Sequence, residues 1–153
     1  MKIKEYVTMN KIQEYNMYQY LEHMDYRFGS IAQVTNHKFT AGQLLDWLMN
    51  EKKTSIGNDW VSIDKEDGVI ALYDVSDFLD ETYVGDYFNP AKRFEMSIQN
   101  FTEILLRWEE LRVSKPDIIV IVIHEDNHVS LETDPVIIKE YQDAGYAFDI
   151  DKK

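Results

Sequence analysis

The chain has 153 residues, no cysteine, and 16 basic against 28 acidic side chains, for a net charge of −12. That length is enough for one domain with a sizeable core, and the absence of thiols excludes disulfide cross-links and cysteine nucleophiles. The charge argues against a protein that holds nucleic acid, whose phosphates demand the opposite sign, and favours a basic partner or simple solubility.

Met1 to Tyr6 contain no apolar signal core, and no run of about 18 apolar residues is present to span a membrane, so a cytoplasmic protein is expected. Residues 2–8 suit an edge strand, and Asn10 suits the cap of a helix reaching Tyr20 or beyond. Tyr15, Met17, Tyr18, Tyr20, Leu21 and Met24 resolve into neither strand nor helix period, which leaves that assignment open. Gly29-Ser30 reads as a break. Residues 39–49 read as a helix, with Thr40 and Gln43 forming a capping box and Leu44, Leu45, Trp47 and Leu48 on the buried side. Lys52 and Lys53 suit the negative end of its dipole.

Residues 60–64 and 69–73 flank Lys65-Glu-Asp-Gly68, whose Asp-Gly step signals a hairpin. Residues 74–89 form a long excursion rich in acids and tyrosines, punctuated by Gly85 and Pro90 and followed by a short strand near residues 93–96. Residues 97–132 carry the strongest local signals. Ser97 is placed to cap a helix whose inner stripe is Ile98, Phe101, Ile104, Leu105, Trp108 and Leu111. Lys115-Pro116 stops it, because proline has no N–H to donate and disfavours helical geometry in the residue before it. Residues 118–123 are six β-branched side chains in a row, which suits an inner strand covered on both faces. A polar turn at residues 124–128 and a returning strand at 129–132 follow. Pro135 opens a short helix over residues 136–142, and after Gly145 comes a last apolar segment, 146–150. The expected fold is a single α+β domain, residues 1–153, with a largely antiparallel sheet and helices packed on it.

His124-Glu-Asp-Asn-His128 matches the zinc-protease pattern H-E-x-x-H, which works when a helix sets both histidines on one face. Here a β-branched run precedes it. A two-residue turn at Asp126-Asn127 would oppose Glu125 to His128 and send the histidines to opposite sides, whereas a three-residue turn would pair them and permit a surface metal site. Without the helix, no catalytic metal is expected. There is no Gly-rich phosphate loop and no G-x-S-x-G elbow, and His23 and His37 are isolated. No catalytic residue, cofactor or metal ligand is assigned, and the chain reads as a non-enzyme.

Residues 59–86 hold nine acidic side chains against one basic, a net −8. Within them Asp74, Asp77, Asp80, Glu81 and Asp86 interleave with Tyr73, Phe78 and Tyr83, and Tyr87 and Phe88 follow. Such a mixture offers a negative field and a large contact area of low entropy to a cationic partner. Asp74, Asp77, Asp80, Glu81, Tyr83, Asp86 and Tyr87 are the candidate partner-binding residues. The competing expectation is that the aromatics pack inward and the acids face water, since Val75, Phe78 and Leu79 must bury something.

The run Phe101-Thr-Glu-Ile-Leu-Leu-Arg-Trp-Glu-Glu-Leu111, followed by Lys115-Pro-Asp-Ile-Ile-Val-Ile121 and a short closing strand, resembles bacterial immunity proteins of contact-dependent inhibition or polymorphic toxin systems. Many of these are small, acidic, cytoplasmic α+β proteins with a similar helix, K-P-D-x-I strand and polar turn. The likeness transfers no functional residue. It implies a role: binding one cognate basic toxin domain, often a nuclease, and blocking it. The charge agrees, because a nuclease must present a cationic surface to phosphates and a compact acidic protein can occupy it. The alternative is a DNA-mimicking inhibitor of a nucleic-acid enzyme, of phage or mobile-element origin, with charge spread over a long face. A hydrolase using His124 and His128 is a third expectation, from another class.

Overall fold

The computed structural model describes residues 3–12, 17–19, 26–36, 41–50, 52, 54–57, 61–75, 80–82, 84–85 and 87–144. Along them run β1 (Ile3–Ile12), β2 (Met17–Gln19), α1 (Tyr26–Asn36), α2 (Ala41–Met49), β3 (Ser55–Gly57), β4 (Val61–Glu66) and β5 (Val69–Asp74). A short 3-10 turn (Pro90–Lys92) leads into β6 (Arg93–Ser97), α3 (Ile98–Ser114), β7 (Ile118–His124), β8 (Val129–Glu132) and α4 (Pro135–Asp143). The fold is α+β. Instead of one sheet there are two of four strands, ordered β2-β1-β7-β8 and β3-β4-β5-β6, and every ladder is antiparallel.

The β-branched run becomes β7, an inner strand covered on both sides. Ile119, Ile121 and Ile123 join Val7 and Met9 of β1 and Val129 and Leu131 of β8 in the main core. Val120, Val122 and Tyr6 point the other way and meet Ile138 and Tyr141 of α4. Burying each such side chain contributes about 1.5–3 kcal/mol. The main core continues through α1, α2 and α3 to Val61, Ile63, Ile70, Leu72, Phe94 and Met96 of the second sheet. α1 and α3 therefore lie between the sheets, with α4 on the outer face of the first: α1 touches β4, β5 and β6 on one side and β7 on the other. Phe101, Leu105 and Trp108 of α3 are buried as expected, but α3 packs chiefly on β8, β6, β5 and α2 rather than on β7.

Local signals set the ends of these elements. Ser97 Oγ accepts the Asn100 N–H at 3.0 Å, and Lys115, in the left-handed region at φ 50°, closes α3 by donating its N–H to Leu111 O. Asp134 caps α4, with Pro135 in its first turn. Asp67 and Gly68 both have positive φ, 50° and 79°, as a two-residue hairpin turn requires.

Three further expectations, all in the first 30 residues, are corrected. β1 is not an edge strand, because it lies between β7 and β2. Asn10 caps no helix, since residues 10–12 continue β1 and pair with Gln19, Tyr18 and Met17. Gly29 and Ser30 do not break the chain but sit inside α1, where burial of Phe28, Ile31, Ala32 and Val34 outweighs a glycine penalty of about 1 kcal/mol. The end of α2 is held from afar: Lys65 of β4 donates from Nζ to Trp47 O at 2.5 Å, Leu48 O at 3.2 Å and Asn50 O at 2.6 Å. The Thr40 cap, Lys53, Trp60 and the segment 146–150 lie outside the described residues. No described helix is long and apolar enough to cross a membrane.

Candidate partner-binding surface

The segment between β5 and β6 leaves the second sheet at Asp74, which is half-buried and pairs with Val61 in the ladder. Val75 is buried with Ala71 and Tyr73 on the face of this sheet away from the helices. Beyond it the chain is irregular wherever it is described. Asp80 Oδ1 accepts the Thr82 N–H at 2.9 Å and the Thr82 hydroxyl at 2.7 Å. Those bonds favour the ionised carboxyl and lower its pKa, so Asp80 holds both its charge and the local turn. Glu81 is exposed beside it.

Aromatic packing anchors the return. The Phe88 ring meets Tyr73 edge-on with centroids 5.2 Å apart, and Tyr87 meets Phe88 in the same way at 4.9 Å. Arg93 donates to the Tyr73 hydroxyl and is ion-paired with Glu95, so the ring that receives Phe88 is itself fixed. Tyr87 and Phe88 nevertheless remain 40% and 47% exposed, and Val84 is 96% exposed. Acids and apolar groups thus share one surface loop: Tyr73 packs inward while Tyr87 and Phe88 stay partly in water. Asp74, Asp80, Glu81 and Tyr87 are placed in this way. Asp77, Tyr83 and Asp86 lie outside the described residues, as do His23, His37 and Phe78. Val84 and Phe88 are the additions to the candidate surface. The aromatic run pointed to Phe88, whereas nothing in the sequence singled out Val84.

The β7–β8 connection differs from the two-residue turn. Asn127 N–H donates to His124 O and His124 N–H to His128 O, both at 2.9 Å, with Asn127 at φ 64°. The turn therefore has three residues, Glu125 to Asn127, and pairs His124 with His128, their ring centroids 5.7 Å apart. Asp126 drives this choice by accepting the His128 N–H at 3.1 Å, while Asn127 tolerates the left-handed conformation. His124 Nε2 lies 2.9 Å from Ser130 Oγ, and His128 Nε2 lies 3.1 Å from Glu103 Oε2. Burial, and then the neighbouring His128, lower the pKa of His124, against a smaller raising effect of Asp126. Among the described residues no three His, Cys, Asp or Glu side chains are grouped to hold a metal ion.

No family model, curated protein or solved structure matches this chain.

Proposed function

We propose that this protein is a non-enzymatic immunity protein that binds a basic toxin domain, most simply a nuclease, and blocks it through the acidic, tyrosine-bearing loop before β6. One observation carries the reading: exposed Val84, Tyr87 and Phe88 stand in the same loop as the exposed carboxylates of Asp80 and Glu81, and Phe88 is seated on Tyr73. A loop that only solvates the fold has no need of three exposed apolar side chains within five residues. The acids would steer a cationic partner to the surface and the apolar groups would then exclude water from the contact. Exposed apolar side chains standing among the four acids of residues 75–89, rather than charge alone, favour this over a DNA mimic.

The test starts from a pull-down at low salt in the native host, which is expected to return one basic protein. Neutralising Asp77, Asp80, Glu81 and Asp86 together to Asn or Gln is expected to weaken that complex at least tenfold, about 1.4 kcal/mol, and to flatten its salt dependence. Unchanged affinity and unchanged salt dependence in a variant that folds normally would remove the loop from the interface.

A further inference from the structure

The four strands that terminate the two sheets are not equivalent. β2 and β3 have three residues each. β8 is closed at its first residue by α3, because the Asn100 side chain donates to Val129 O and accepts from Val129 N–H, each at 2.8 Å. β6, with five residues, is the longest of the four. Among the described residues its backbone bonds run to β5 and to its own flanking turns, as in the Arg93 N–H bond to Pro90 O. An open edge of this kind is a template for another strand.

Two adjoining clefts of about 570 and 430 Å³ follow that edge. Arg93, Phe94 and Glu95 line the first, and Glu95, Met96 and Ser97 line the second. Alternate side chains of a strand point to opposite faces, so three consecutive residues lining each cleft set the edge of the strand along it, and Gly68, Val69 and Asn100 close the far end of the second. The facing wall is the β7–β8 turn, with Asn127 common to both clefts and Asp126 in the second.

We propose that the β6 edge takes up an extended basic segment of a partner protein, which adds as a fifth strand to the second sheet. Asp126 brings a carboxylate to the second cleft, and Glu95, common to both clefts, is shared with Arg93, whose guanidinium lies in the first together with that of Arg27, itself ion-paired with Glu5. Backbone pairing would supply affinity, and alternation would supply specificity: basic side chains on the Glu95 face and apolar ones on the Phe94 and Met96 face. The proposal rests on the reading above for the sign of the partner's charge, and on the edge alone for its extended conformation. Pro90 lines the first cleft two residues after Phe88, so a single partner can touch loop and edge together.

The experiment titrates the ¹⁵N-labelled full chain with a blocked hexapeptide of alternating lysine and valine. The same peptide N-methylated at alternate residues and a glutamate–valine version serve as comparisons. The lysine peptide is expected to shift the amides of Phe94, Glu95, Met96 and Asn127, with affinity at least tenfold lower for both comparison peptides. No saturable shift, or equal binding of the N-methylated peptide, would overturn edge pairing. Shifts confined to residues 80–88 would also overturn it while sparing the loop reading. Edge shifts that persist in the four-acid variant, whose native complex is unweakened, would instead sink the loop reading and keep the edge.

Discussion

Replacing Asn100 by alanine removes both hydrogen bonds with which α3 closes the edge of β8. Asn100 is 4% exposed and Val129 is 1% exposed, so the change strands a backbone N–H and a C=O in a largely dry place. An unpaired buried group costs about 1–3 kcal/mol, and the cleft that Asn100 lines lets water reach part of the gap, so the expected loss is about 2–4 kcal/mol. Urea unfolding followed by tryptophan fluorescence measures it as a lower midpoint at unchanged slope. Asn100→Asp refines the argument. A carboxylate still accepts the Val129 N–H but opposes its carbonyl, and only the protonated acid donates to that oxygen. The folded-state pKa of the new group is therefore raised, so its stabilising contribution is full at low pH and is lost as pH rises through that value. A loss below about 1 kcal/mol for Asn100→Ala, or no regain of stability by Asn100→Asp relative to wild type as pH falls, would refute the closure of β8 by this amide.

Trp108→Ala is expected to cost about 3–5 kcal/mol in the same assay, since the ring is 5% exposed in the main core, and a loss under about 1 kcal/mol would place it elsewhere. Lys65→Met keeps the aliphatic stem but removes the ammonium that caps α2, with an expected loss of about 1–3 kcal/mol; equal midpoints for variant and wild type would show the cap to be idle. Because the fold prefers neutral His124, its contribution is full above pH 6.5 and is lost as pH falls through the depressed folded-state value. His124→Gln is expected to flatten the fall of the unfolding midpoint below pH 6.5, and superimposable pH profiles would contradict this.

Features written within a few residues were legible from the chain alone. The Ser97 cap, the Asp67-Gly68 turn, the Lys115-Pro116 stop and the Pro135 start each depend on backbone preferences and hydrogen bonds that span about one turn, and the β-branched run could bury itself only inside a sheet. Tertiary structure decided whatever depended on distant partners. Asn10 and Gly29 carry weak local preferences, which pairing with β2 and burial of α1 between the sheets override. The acids and tyrosines of the candidate surface were visible as a pattern, but which of them face water was not. Phe88 had to find Tyr73 before Tyr87 and Val84 could be left outside. The division into two sheets, the closing of β8 by a side chain 29 residues away and the open edge of β6 have no local signature. They arise only when separate segments compete for the same hydrogen bonds and the same core.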